Sequence, residues 1–242
     1  AKMAQMIDAA AASKPDGLVV SIADPAALSE PVKNAVAAGI PVIVIDSGGG
    51  KLTKELGGLL YLGQSEYEAG VMAGERIKKL NVTKAVCANH EVGNVSLDDR
   101  CAGFAKGLGV DVPVLNGVMD PTEMKNRIIA HLKTNADTQF ILTVGIGGAE
   151  PGLMALDELG LTGKVKIGTF DLSPTILQAT ADGKMEWGID AQQYAMGYIP
   201  VVMFDLWKKY KIAPIADYPT GPGFVTGETA ASVIELAKQG KR

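Results

Sequence analysis

The side chains with the clearest chemical meaning lie where apolar runs stop. "IPVIVIDSGGG" (40–50) leads through a β-rich stretch to Asp46, then to Ser47 and three glycines. A carboxylate and a hydroxyl are thus followed by a turn stripped of side chains, where another molecule can approach the backbone closely. The pattern recurs along the chain. Asn89 and His90 follow "KAVCA", the glycines of "VGIGG" (144–148) close "QFILTV", Asp171 ends "KVKIGTFD", and Gln192 follows "MEWGIDA". Arg100 falls in the opening turns of a helical segment just after "ANHEVGN". A guanidinium there can fork across two adjacent hydroxyls or a carboxylate. These groups donate and accept hydrogen bonds; together they suit a small polar ligand. Each has a plainer reading as well. Asp46 and Asp171 could be helix N-caps worth about 1 kcal/mol each, Gln192 a solvated first-turn residue, and Arg100 a surface charge paired with Asp98 or Asp99.

Motifs for covalent, metal or nucleotide chemistry do not emerge. "GIGGAEPG" (145–152) departs from the dinucleotide-loop template because Glu150 stands where the third glycine belongs, and an acid there would repel phosphate. "SGGGK" (47–51) has the wrong spacing for a P-loop. "HEVGN" (90–94) carries Asn94 where a zinc-protease motif needs its second histidine. No G-x-S-x-G is present. Two triplets, "NVT" from Asn81 and "NVS" from Asn94, match glycosylation sequons, a pattern common by chance. With 2 histidines and 2 cysteines, no Cys/His cluster forms a metal site. Cys87 and Cys101 are either two buried thiols or a disulfide closing a short loop, and the spacing favours neither. A disulfide would place the protein in an oxidising compartment.

The elements that must position these groups alternate regularly. A helix over 2–13 is followed by strand 18–23, helix 28–39, strand 40–46, strand 59–63 and helix 65–80. Strand and helix then alternate as 84–89, 96–109, 112–117, 121–135, 139–144, 151–160, 164–171, 173–183, 185–190 and 192–210, ending in strand 222–226 and helix 227–240. Such alternation predicts an α/β protein with parallel sheets covered on both faces. Ligands of such sheets bind outside the carboxyl ends of the strands, where these polar residues fall.

Composition narrows the class further. A chain of 242 residues with 47% hydrophobic and 21% charged residues can build a large core in one or two domains. A net charge of −4 gives no basic footprint for nucleic acid or an anionic membrane. No apolar run approaches the roughly 20 residues that span a bilayer. The opening "AKMAQMIDAAAA" already has helical spacing and shows no signal-peptide pattern.

The segments "PDGLVVS", "IPVIVIDS", "LGQSEYEAG", "DDRCAGF", "IGTFDLSP", "GIDAQQYAMGY" and "GPGFVT", in this order, resemble the periplasmic sugar-binding proteins of ABC importers, in the ribose- and galactose-binding (type I) branch. The resemblance runs through the whole chain. It implies two doubly wound parallel-sheet lobes joined by a three-strand hinge, one built from 1–62 and 193–222 and the other from 63–192 and 223–242. It implies a sugar or polyol held in the cleft between them. By the family pattern the ligand-binding residues are Asp46, Arg100, Asp171 and Gln192, with Asn89 or His90 compensating for an asparagine that the family carries where "GIGG" stands here. Ser47 replaces the family's usual arginine, and Met119 stands where a stacking aromatic is expected. The resemblance further implies no cofactor, no enzymatic turnover, a periplasmic monomer delivering its ligand to a membrane permease, and a Cys87–Cys101 disulfide. It also implies a strand, a helix and a strand preceding residue 1 in the parent protein. A lactose-repressor-type effector domain shares this fold and is the alternative; a hydrolase on a doubly wound sheet would need a nucleophile and base that the sequence does not supply.

Overall fold

A computed structural model describes residues 2–242. In chain order the elements are α1 (Lys2–Ala12), β1 (Leu18–Val20), α2 (Pro25–Ala37), β2 (Val42–Ile45), α3 (Gly49–Glu55), β3 (Leu60–Gly63), α4 (Glu66–Lys78), β4 (Ala85–Asn89), α5 (Val95–Leu108) and β5 (Val114–Asn116). They continue as α6 (Pro121–Thr134), β6 (Phe140–Thr143), α7 (Ile146–Glu158), β7 (Lys166–Phe170), α8 (Pro174–Ala181), β8 (Trp187–Asp190), α9 (Gln193–Tyr210), β9 (Tyr218–Pro219), β10 (Gly223–Thr226) and α10 (Gly227–Lys238). The alternating α/β class expected from the sequence is borne out. The chain divides into two compact units, Ala1–Ser65 with Ala191–Gly221 and Glu66–Asp190 with Pro222–Arg242, so it passes from one to the other three times.

The first unit holds a four-stranded parallel sheet in the order β1-β2-β3-β9. Side chains alternate across β2 because successive residues of a strand face opposite ways. Val42 and Val44 pack with Ile7, Val20, Ile22, Val32 and Ala35 on one face. Ile43 packs with Leu60, Leu62, Ala191 and Met196 on the other. A strand buried on both faces must read as an unbroken apolar run, which is why "IPVIVI" carries no polar residue. Asp217 fixes the far edge by accepting from the backbone N–H of Tyr61 at 2.9 Å.

The second unit holds six strands in the order β10-β8-β7-β6-β4-β5, parallel except that β10 runs antiparallel to β8. Phe104, Phe140 and Trp187 stack on one face of this sheet. Val86, Ile128, Ile141, Ile167 and Ile176 fill the other. On the first face α4 and α5 come unusually close. A Cβ at Gly103 or Gly107 would lie 2.0 Å from the carbonyl oxygen of Tyr67 or Val71, and one at Gly70 or Gly74 would meet Arg100 or Phe104 carbonyl oxygens at 2.5 and 2.3 Å. Glycines four apart on both helices therefore let the backbones touch, and the start of α4 is brought against the second turn of α5.

Several boundaries differ from the sequence reading, each for a local reason. Helix α2 begins at Pro25 because Asp24 accepts from the N–H of Ala27 and proline suits the first helical position. The glycines of "GIGG" do not form a free turn. Gly148 and Ala149 donate to the Gly145 carbonyl at 3.0 and 3.1 Å, so α7 starts before Pro151 and carries that proline inside it. The "SGGGK" segment likewise runs into α3, a helix the glycines concealed. Strand β9 consists of 2 residues, too short to register as a periodic pattern.

Candidate ligand-binding site

Each unit presents polar groups at the carboxyl ends of its parallel strands. In the first unit Asp46 follows β2 with φ at 61°, in the left-handed region. A non-glycine residue there costs on the order of 1 kcal/mol, least for Asp and Asn. The hydroxyls of Ser21 and Ser47 both donate to Asp46 Oδ2 at 3.2 Å. The Tyr61 hydroxyl lies 2.5 Å from the Asp46 carbonyl oxygen and 2.9 Å from that of Gln64. Carboxylate and backbone are thereby fixed together, and Asp46 caps no helix: the cap of α3 is Gly48. Gln192, also left-handed at φ 57°, caps α9 with its backbone, while its side chain is exposed and donates through Nε2 to the Thr220 carbonyl at 2.5 Å.

In the second unit Arg100 is the centre of the polar cluster. Its Nε donates to Glu66 Oε2 at 2.6 Å and its Nη2 to Glu66 Oε1 at 3.0 Å, a two-pronged ion pair with both side chains about 95% buried. Nη1 donates to the Val144 carbonyl at 2.7 Å and reaches Asp171 Oδ2 at 3.5 Å. One face of the guanidinium lies over the Phe170 ring, 4.5 Å from its centroid. Arg100 is thus no surface charge. Asp171 is left-handed as well, with φ at 66°, and its side chain is a quarter exposed. It does not cap α8, whose cap is Ser173 accepting from the N–H of Ile176.

Asn89 and His90 leave β4 side by side, and their surroundings differ. Asn89 is fully buried, donates to Asp98 Oδ1 at 2.8 Å and accepts from the N–H of Glu91 at 3.0 Å, which ties the loop to α5. His90 lies between the glycines of the next strand end. A Cβ at Gly147 would meet its ring at 2.7 Å, and one at Gly145 would meet it at 2.9 Å and Asp171 Oδ2 at 3.1 Å. Its Nδ1 is buried without a partner among the described residues. Glycines at 145 and 147 therefore make the room that the imidazole fills. Glu66, in the first turn of α4, where an acid complements the helix dipole, is not among the residues singled out from the sequence.

Burial lowers the pKa of His90 below its ordinary 6.5, with Arg100 acting in the same direction and Glu91 and Asp171 against it. His131 is lowered by burial too. Because both fold with pKa values below those of the unfolded chain, the native state binds fewer protons. Their contribution is complete above about pH 6.5 and is lost as pH falls from there through the lowered values. Urea midpoints should accordingly hold near pH 7 and decline between pH 6.5 and 5, with a shallower decline in His90→Gln. A midpoint that rises on acidification over this window would contradict the assignment.

Parallel strands alternating with helices, with polar groups at the strand ends, define the α/β class. A family model described as a periplasmic binding protein domain matches residues 1–208, and the chain belongs to that family. It is similar to the xylose/arabinose-binding protein XylF of Sulfolobus acidocaldarius, 27% identical over 93% of this chain, and spans 60% of that relative's length. Among solved structures it is similar to a carbohydrate transporter from Acidothermus cellulolyticus in complex with myo-inositol. That likeness has 32% identity and a TM-score of 0.93, and covers all of this chain and 84% of the other. A solute-binding protein from Burkholderia graminis in complex with D-arabinose shares the fold at 23% identity and a TM-score of 0.85, over 93% of this chain and 80% of its own.

Proposed function

We propose that this chain binds a small sugar or cyclitol through Asp46, His90, Arg100, Asp171 and Gln192 and serves a membrane permease of the ABC type from outside the cytoplasm. The observation that carries the reading is that three of these residues, Asp46, Asp171 and Gln192, adopt left-handed backbone at strand or helix junctions. Such strain persists where the surrounding structure holds a side chain for use. Carboxylates accept from neighbouring hydroxyls, while the guanidinium and amide donate to them; a ligand lacking one hydroxyl leaves a buried group unpaired and is rejected. Asn89, engaged with Asp98 and Glu91, holds the loop that presents His90. The Cys87–Cys101 bond suits an oxidising compartment. The likeness to the Acidothermus cellulolyticus protein makes myo-inositol the first ligand to test, followed by D-arabinose and D-xylose.

A thermal-shift series against these three compounds and D-ribose tests the proposal. A ligand at 100 times its dissociation constant should stabilise the fold by about 2.7 kcal/mol. Asp46→Ala should remove that shift and also lower the unliganded melting temperature by a few degrees, since alanine tolerates the left-handed backbone less well than aspartate and the serine contacts are lost. An undiminished shift in Asp46→Ala would exclude it from the site.

A further inference from the structure

We propose that Glu66 sets the charge class of the ligand: it neutralises Arg100, so the site takes uncharged or amino-substituted polyols and refuses carboxylated or phosphorylated ones. The inference rests on the polyol-binding reading above and deepens it. An arginine at a ligand site ordinarily advertises affinity for anions, because its planar fork matches a carboxylate or phosphate. Here the Nε–Nη2 edge of that fork is already filled. Nε and Nη2 grip both oxygens of Glu66 at 2.6 and 3.0 Å, deep in the second unit, before any ligand arrives.

The charge count follows from named groups. Arg100 contributes one positive charge; Glu66 and Asp171, both ion-paired with it, contribute two negative ones. Burial disfavours the protonated form of His90, so it is not counted as a cation. The strand-end cluster of the second unit is therefore net negative, and it remains polar because Nη1 is directed toward the Val144 carbonyl and Asp171. In the first unit Asp46 adds a further carboxylate, which receives the Ser21 and Ser47 hydroxyls and ion-pairs with no lysine or arginine among the described residues. Neither set supplies a cation that a sugar acid could claim. Both supply carboxylates that accept from hydroxyls, and an ammonium in place of a hydroxyl would be accepted equally well. Like charges brought together at a desolvated site are strongly disfavoured.

Glu66 reaches Arg100 only because the glycines of α4 and α5 let the helices touch. It acts on the ligand through Arg100 and is a positioning residue, so its test needs a readout that a merely structural role would not move. That readout is selectivity by charge. Dissociation constants are measured by calorimetry for myo-inositol, scyllo-inosamine and inositol monophosphate, and for D-glucose, D-glucosamine and D-glucuronate. For the native protein the amine should bind within about tenfold of its neutral parent, and the anion at least about 100-fold more weakly. Glu66→Gln should narrow the gap between anion and parent by about tenfold or more, while Glu66→Asp, which keeps the charge, should preserve the refusal of anions. Native protein that binds glucuronate or inositol monophosphate as tightly as the parent overturns the inference and leaves the polyol-binding reading standing. An unchanged ratio in Glu66→Gln, read on protein that still melts cooperatively, overturns it as well. If none of the six compounds binds, the polyol-binding reading itself falls and takes this inference with it.

Discussion

Arg100→Ala is expected to lower the stability of the second unit by about 3–5 kcal/mol and to abolish ligand binding. The reason is the asymmetry of buried ion pairs. Forming one gains little over well-packed apolar residues, but removing one partner strands the other charge in a medium that cannot solvate it. Glu66 is about 95% buried and would keep its carboxylate with no guanidinium on either oxygen. The Val144 carbonyl would lose its donor, and the Phe170 ring its cation. The same argument fixes a control. In Arg100→Met combined with Glu66→Leu no charge is left behind, and most of the stability should return while binding does not. Urea unfolding followed by tryptophan fluorescence in a Trp207→Phe background reports this unit, since Trp187 lies in its core and Trp207 belongs to α9 of the first unit. Arg100→Ala within 1 kcal/mol of the native protein would show that the pair is not buried in solution as it is here.

The second large effect concerns the covalent link between sheet and helix. Cys87 in β4 and Cys101 in α5 form a disulfide with a sequence separation of 14. It closes the loop that carries Asn89, His90 and Arg100. On the chain-entropy model a loop near this length stabilises by about 3 kcal/mol, which for a protein of this size corresponds to roughly 6–12 °C in melting temperature. Both sulfurs are buried, so reductant alone would act slowly and the double variant Cys87→Ala/Cys101→Ala is the cleaner comparison. Calorimetry should show its transition lowered by that amount, with ligand affinity reduced as well because the loop is less restrained. Coincident transitions for the variant and the oxidised protein would mean that the bond contributes nothing beyond the packing around it.

Much of this molecule was legible in its sequence, and physical periodicity explains which parts. Runs such as "PVIVI" and "FILTV" are apolar at every position because both faces of their strands are covered. The helix α6, with a proline at its first turn and an acid before it, begins at residue 121 as that pattern predicts. Asp46, His90, Asp171 and Gln192 could be singled out because they follow buried strands, and Arg100 because its helix follows one; the family resemblance, rather than their position alone, set them above their local readings. Glycine runs defeated the reading at α3 and α7, since glycine's permissive backbone signals a turn whether or not a helix follows.

What tertiary structure alone decided is how those residues are used. Glu66 and Arg100 are 34 positions apart, and neither pattern nor spacing announces that they share two hydrogen bonds in the core. Their meeting depends on four glycines whose role appears only when two helices are laid together. The vacancy beside Gly145 and Gly147 acquires its meaning only when His90 is seen to occupy it. Local sequence set which groups stand at the strand ends, because secondary structure responds to near neighbours. The charge they present was settled by long-range packing, which pairs groups that the chain itself keeps far apart.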